Sequence, residues 1–508
     1  MAWTTRLVNL FLARRRKAID FFMRHPQEVQ QRQLEHLLTQ ARQTAIGLEY
    51  GFGTIRQYDQ FVSRVPVSDY DRFESLIARS RAGQPNVTWP GGIDWFAKSS
   101  GTTGSKSKFI PVTAEGLQRC HLQGPRDVLA LYTSLYPQSQ IFSGKTLTLG
   151  GSHRLESTGG NAQEGDLSAI LIENTPWWAD WRRAPRTATA LMPDFEQKVQ
   201  AICRETVHQR ITAFAGVPSW NMVMLNKVLE YTGKQNILEV WPHMELFIHG
   251  GMNFKPYREQ YRRLFPSDSM RYMETYNASE GFFAIQNEPD RDDMLLMLDY
   301  GVYYEFLPMS ALHDPSQAVP LEGVKTGVNY ALIISTCNGL WRYMIGDTVE
   351  FTSLSPYKIR ITGRTKHFIN AFGEEVIVDN AETAFKVACD VTGAQISDYT
   401  AGPIYMHDKT KGSHQWLVEF SRRPDDLERF TDLLDEALQR VNSDYEAKRF
   451  KDTTLLRPTL TVLPEGTFYR WMKGRGKAGG QNKVPRLCND RTYIEQLLAL
   501  REESDAAL

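Results

Sequence analysis

Between residues 195 and 251 the chain alternates twice between a stretch of helical spacing and a short apolar run ending in glycine. Phe195 to Gln209 reads as a helix and Ile211-Thr212-Ala213-Phe214-Ala215-Gly216 as a strand and turn. Trp220 to Tyr231 then reads as a helix, and Leu246-Phe247-Ile248-His249-Gly250-Gly251 as a second strand and turn. Strand-length apolar segments alternating with amphipathic helices predict a layered α/β body. Tyr300 to Phe306 and Tyr330 to Ser335 read as further strands, followed by a β-rich stretch to about residue 363.

The flanks differ from this body. Residues 1 to about 45 carry helical spacing at Leu34, Leu37, Leu38 and Ala41, and Tyr50-Gly51-Phe52-Gly53 ends that region. A second short helix is expected near residues 69–80, and the strand Trp95-Phe96-Ala97 runs into a loop rich in Gly, Ser and Thr. After Gly363-Arg364-Thr365-Lys366 the texture becomes α+β: a helix at Asn380–Val391, a strand at Gln415–Phe420, a helix at Asp425–Asn442. The basic, Gly-rich tail from Lys473 to Lys483 is expected to be mobile.

At 508 residues the chain is too long for a single core, and length alone suggests about two to four domains. Lys plus Arg and Asp plus Glu both number 59, so no global charge attracts the chain to nucleic acid. Cys120, Cys203, Cys337, Cys389 and Cys488 form no C-x-x-C pair, which argues against disulfide staples and zinc and for a reducing compartment. Leu7 to Ala13 is apolar, but Arg14-Arg15-Arg16-Lys17 follows it, the reverse of signal-peptide order. A packed helix there is favoured over one lying on a membrane surface. No run approaches the ~20 apolar residues needed to span a bilayer, so a cytoplasmic protein without a membrane partner is expected.

Five segments bear chemistry. In Ser99-Ser100-Gly101-Thr102-Thr103-Gly104-Ser105-Lys106-Ser107-Lys108, glycines let backbone N–H groups approach an anion while hydroxyls and lysines add donors and charge. That composition suits a polyphosphate cradle, though not the G-x-x-x-x-G-K-[ST] type, and a flexible linker is the alternative. Tyr276-Asn277-Ala278-Ser279-Glu280-Gly281-Phe282-Phe283 offers an aromatic for a purine, a hydroxyl for phosphate and a hard oxygen ligand for Mg2+, or merely a strand entering a turn. Asp347, after Gly346 in the stretch Trp341 to Phe351, has the chemistry to hold ribose hydroxyls, or else belongs to a hairpin turn. Ile361 to Asn370 marks the change in texture, and Asn482-Lys483-Val484-Pro485-Arg486 puts a lysine in the basic tail.

The order and spacing of these five segments resemble the adenylate-forming superfamily. More closely, the chain resembles the auxin-responsive acyl-acid amido synthetase family, as a bacterial-type member. Phe61-Val62, Val65-Pro66-Val67, Tyr70-Asp71, Gly83, the Ser99–Gly104 loop and Phe109-Ile110-Pro111-Val112-Thr113 match that family's N-terminal region. The resemblance implies a large layered α/β domain with a β-rich subdomain, residues 1–365, and a small mobile α+β lid, residues 366–508. It implies that Ser99, Ser100, Gly101, Thr102, Thr103 and Gly104 hold the β- and γ-phosphates of ATP, and that Gly250, Gly251 and Met252 line the adenine beside Tyr276. Ser279 would approach the α-phosphate, Glu280 would bind Mg2+, and Asp347 would hold the ribose with help from Arg364. Lys366 would be the hinge, with Lys108 and Lys483 as catalytic cations. The superfamily usually has Pro-Lys at the positions of Lys106 and Ser107; here that lysine is displaced, and Lys108 fits the amido synthetase branch instead. Where plant members carry Cys-Tyr this chain has Gly281-Phe282, so the pocket beside the acyl group is expected to differ.

The activity so implied is activation of a small carboxylic acid as an acyl-adenylate, then transfer to an amine, an amino acid above all. Two alternatives are a CoA- or carrier-protein-acylating ligase, for which Lys473, Arg475 and Lys477 would suit a CoA phosphate, and a nucleotide-binding protein without turnover. His153, His243 and His249 read as structural histidines ahead of bases for the acceptor amine.

Overall fold

The structure is a computed structural model. It describes residues 2–99, 108–150, 156–157, 162–192, 194–251, 254, 258–365, 368–369, 374, 376–404, 412–442, 445–446, 449, 455–475, 484–488 and 490–505. The chain divides into two compact units. One holds Met1–Ile345 and Val349–Arg360, and the other Gly346–Thr348, Ile361–Ala478 and the C-terminal stretch.

The strands up to residue 364 are β1 (Trp95–Ser99), β2 (Lys108–Val112), β3 (Lys145–Thr148), β4 (Glu156–Ser157), β5 (Gln163–Gly165), β6 (Arg183–Ala184), β7 (Ile211–Gly216) and β8 (Leu246–Gly250). They continue with β9 (Arg271–Ala278), β10 (Gly281–Ile285), β11 (Met294–Leu296), β12 (Val302–Pro308), β13 (Val319–Pro320), β14 (Asn329–Thr336), β15 (Tyr343–Leu354) and β16 (Tyr357–Arg364). A 12-stranded mixed sheet runs in the order β13-β12-β14-β15-β16-β11-β10-β9-β8-β7-β3-β6, and a four-stranded one in the order β2-β1-β5-β4.

The parallel part of the large sheet is the alternation seen in the sequence. Strands β3, β7, β8 and β9 pair parallel in turn, and the connections between them carry the helices Phe195–Thr206, Pro218–Thr232 and Arg258–Leu264. Asp194 caps the first by accepting from the Gln197 N–H, and Gly233, at φ +66°, ends the second. Phe214 and Phe247 stack at 4.1 Å between ring centroids and, with Ile202, Leu225, Val228 and Trp241, build the core under the strands. Each such side chain contributes about 1.5–3 kcal/mol on burial.

The N-terminal helices Ala2–Arg24 and Pro26–Ala41 pack on this unit: Ile19 and Phe22 are buried, and Arg15 pairs with Asp127 at 2.7 Å and with Asp299. The apolar-then-basic start is therefore an anchored helix. Asp69 caps the helix Tyr70–Arg81 through the Asp71 N–H. No helix among the described residues is long and apolar enough to cross a membrane, and all five cysteines are free thiols.

The second unit adds β17 (Phe368–Ile369), β18 (Val376–Ile377), β19 (Gln395–Ile404), β20 (Ser413–Arg422) and β21 (Thr459–Leu463), the last three forming one sheet. The helices Val378–Thr392 and Leu427–Val441 enclose a core of Phe385, Tyr399, Trp416, Val418 and Phe430. Asn380, expected to open its helix, stands inside it and accepts from the Ile377 N–H at 3.1 Å. Asp426 caps the next helix through the Arg429 N–H. The tail needs correction at its start. Lys473 and Gly474 close the helix Thr467–Gly474, and the Arg475 guanidinium lies 4.6 Å from the Trp471 ring and 4.8 Å from that of Tyr493. Flanking aromatics fix residues whose own composition reads as solvated. Residues 476–483 lie outside the described residues.

Candidate active site

The Ser/Thr/Gly segment joins two paired strands. Strands β1 and β2 run antiparallel in the register Trp95↔Val112 to Ser99↔Lys108, so residues 100–107 connect neighbouring strand ends. Ser100, Gly101, Thr102, Thr103 and Gly104 lie outside the described residues; Ser99 and Lys108 are the pair that brackets them. Phe96, Ala97, Ile110 and Val112 are buried and fix the base of the hairpin. The Tyr70 hydroxyl accepts from the Phe109 N–H at 2.9 Å, and the Lys108 ammonium lies 5.6 Å from the Tyr70 ring.

Strand β2 leads into Thr113, whose hydroxyl accepts from the Gly116 N–H at 2.9 Å and donates to the Cys337 carbonyl at 2.7 Å. A π-helical turn follows at Leu117–His121, before the helix Gln123–Leu135. Such turns are rare and occur frequently at functional sites. It brings the Cys120 sulfur to accept from the Phe282 N–H at 3.1 Å and buries His121, whose imidazole burial pushes down to about 4.

The second segment forms a tight turn. Ala278 pairs with Gly281 across β9 and β10, leaving Ser279 and Glu280 as the turn, 5% and 6% exposed. The Tyr276 ring is buried edge-on to Phe283 at 4.9 Å. Beside it, Gly250 pairs with Thr275; a Cβ there would meet the Thr275 carbonyl oxygen at 2.4 Å, and Gly251 holds φ +81°. Both positions demand glycine. Met252 lies outside the described residues. His249 is buried against Phe254, 4.2 Å between centroids, and burial first and Arg258 second push its pKa down to about 3. An imidazole that acidic is a poor base, which agrees with the structural reading.

In the second unit, Gly346 and Asp347 sit inside the 12-residue strand β15 rather than at its turn, with Gly346 at φ +93°. The Arg364 Nε donates to Asp347 at 2.8 Å, and the Thr365 N–H donates to the Gly346 carbonyl at 2.8 Å. The hairpin-turn alternative for Gly-Asp is thereby excluded. Lys366 and Lys483 lie outside the described residues. The chain just after Lys483 is fixed to β19. The Ala401 N–H donates to the Arg486 carbonyl, the Cys488 N–H to Ala401, and the Thr400 hydroxyl to Pro485. Arg486 pairs with Asp398 and lies 4.5 Å from the Tyr399 ring.

Sequence reasoning missed Asn338. It is fully buried between β14 and β15, its Oδ1 accepts from the Thr113 N–H at 3.1 Å, and its Nδ2 donates to the Glu280 carbonyl at 3.3 Å. Asn338-Gly339 reads in sequence as an ordinary turn pair, which hides a structural amide.

The fold, a layered sheet unit and a small α+β unit, is similar to that of solved ligases. A 2-hydroxyisobutyryl-CoA ligase in its postadenylation state matches it with TM-score 0.57 and 13% identity, over 93% of this chain and 91% of that one. The GH3.15 acyl acid amido synthetase matches with TM-score 0.79 and 17% identity, over 96% and 95%. The GH3 family N-terminal domain is matched over residues 15–270, the central domain over 295–364 and the C-terminal domain over 379–492. The chain belongs to the GH3 family. Among curated relatives, the indole-3-acetic acid-amido synthetase GH3.3 of Arabidopsis thaliana is 22% identical over 95% of this chain and 93% of its own length. The jasmonoyl–L-amino acid synthetase JAR4 of Nicotiana attenuata is also 22% identical, over 93% of each.

Proposed function

We propose that this protein activates a small carboxylic acid with ATP and transfers the acyl group to an amine, an amino acid by preference. The carboxylate oxygen attacks the α-phosphorus of ATP, pyrophosphate leaves, and the acyl-adenylate forms. The amine nitrogen then adds to the acyl carbon, AMP departs with the bonding electrons, and the nitrogen loses its proton to give an amide. Carboxylate alone has no usable leaving group; adenylation supplies one.

Two anions must meet in the first step, so the chain's part is positioning and electrostatic stabilisation. Ser99 through Gly104 would cradle the β- and γ-phosphates, and Lys108 and Lys483 would offset the developing charge. Gly250, Gly251, Met252 and Tyr276 would flank the adenine, Ser279 the α-phosphate, and Asp347 with Arg364 the ribose. The small domain would turn about Lys366 to exclude water from the mixed anhydride.

Glu280, a hard oxygen donor on the turn between β9 and β10, would be the protein ligand of Mg2+, with phosphate oxygens and water completing its shell. When bound, the ion would neutralise phosphate charge.

The observation that supports this reading most is the Asn338 amide. By accepting from Thr113 and donating to Glu280, it ties the exit of the β1–β2 hairpin to the Ser279–Glu280 turn, segments far apart in sequence. The test is acid-dependent ATP–pyrophosphate exchange over a panel of aromatic and aliphatic acids. Exchange with some acids is expected, and a flat response across the panel would leave a nucleotide-binding protein without turnover. Mass spectrometry of products formed with pooled amino acids against CoA then separates amide from thioester formation. Lys483→Ala is expected to lose exchange by about a hundredfold or more while still binding ATP.

A further inference from the structure

The geometry points to Asn338 as a positioning residue that holds the Glu280 turn for the nucleotide-bound metal, an inference resting on the reading of Glu280 as metal ligand. Thr113, His121 and Glu280 meet at this one side chain. Its Oδ1 takes the Thr113 N–H at 3.1 Å and its Nδ2 reaches the Glu280 carbonyl at 3.3 Å and lies 3.4 Å from the His121 Nε2, while the Asn338 backbone N–H donates to the Thr336 hydroxyl at 3.2 Å. An amide suits this place because it presents one acceptor and two donors in a fixed plane. In the tautomer of neutral His121 that leaves the lone pair on Nε2, that nitrogen accepts the second Asn338 Nδ2 hydrogen.

The space was made for it. Gly116 has helical dihedrals (φ −61°, ψ −38°), so nothing in its backbone requires glycine. A Cβ there would nevertheless lie 1.8 Å from the Asn338 Oδ1 and 2.5 Å from its Cγ. The glycine therefore serves the amide and not the helix. Thr113 repeats the tie from the other side, its hydroxyl donating to Cys337, the residue before Asn338. The tie reaches Glu280 through its carbonyl.

The experiment titrates Mn2+ into the protein with α,β-methylene-ATP, which cannot react, and follows the bound ion by electron paramagnetic resonance. Asn338→Ala removes the tie, and Gly116→Ala displaces it while keeping the amide and a helical backbone. Both are expected to weaken Mn2+ binding about tenfold, the scale set by one lost buried hydrogen bond, while metal-free nucleotide binds within about twofold of wild type. Glu280→Gln should weaken the ion at least as much, and adding Asn338→Ala to it should cost little more, because both act on one group. Wild-type Mn2+ affinity in Asn338→Ala and Gly116→Ala beside a weakened Glu280→Gln overturns the inference and leaves Glu280 as ligand. Wild-type affinity in Glu280→Gln overturns both. Should Asn338→Ala fail to fold, Gly116→Ala decides alone.

Discussion

Burial keeps His121 and His249 neutral, and that sets how the protein meets acid. Their folded pKa values are about 4 and about 3, against 6.5 for an exposed imidazole, with desolvation the main cause in each. Between pH 6.5 and those values the unfolded chain binds protons that the folded chain does not, so stability is full above pH 6.5 and falls as pH drops. Each histidine contributes up to about 1.4 kcal/mol per pH unit in that window. Denaturant unfolding of His121→Gln at pH 7 and pH 5 should show a shallower acid loss than wild type; an equal slope would mean that His121 is protonated in the fold. At this scale the residues proposed to hold the metal and the ribose, Glu280 and Asp347, stood out in the sequence because acids beside glycine do. The sequence hid Asn338, Thr113 and Cys120, whose importance lies only in what long-range folding brings to them.

Among elements, the β8–β9 pair binds sequence to site most tightly. Gly250 faces Thr275 so closely that a methyl group would press on a backbone carbonyl, which a rotamer change cannot relieve. Gly250→Ala must spread the strands, at about 1–3 kcal/mol, and should weaken nucleotide binding in parallel. Equilibrium unfolding and ATP titration check both; full stability in this variant would show that the pair tolerates spreading. Helix and strand pattern was legible where a buried face imposed a period, as in Ile211–Gly216 and Phe195–Thr206. The π-helical turn at Leu117–His121 was not, since it departs from the period itself. Nor were β19 and the helix Thr492–Asp505, where Asp398 and Ser397 interrupt the apolar run of one and charges spread around the other.

The whole molecule carries separate hydrophobic cores, one centred on Phe214, Phe247 and Trp241 and another on Phe385, Tyr399 and Trp416. Cores that share few residues melt as separate cooperative units. Calorimetry should therefore resolve more than one transition. Phe385 sits 4.5 Å from the Tyr399 ring and 5.3 Å from that of Trp416, so Phe385→Ala empties the centre of the second core. The loss is about 3–5 kcal/mol, enough to lower that unit's transition by on the order of 10 °C. The transition of the first unit should stay where it is. Lys483 precedes in sequence the stretch anchored on β19 through Arg486, Leu487 and Cys488, so acid-dependent exchange should disappear along the lowered transition and not along the other. Loss of exchange only at the unchanged transition would remove Lys483 from the adenylation step, and a single transition shifting as a whole would show that the two cores fold as one.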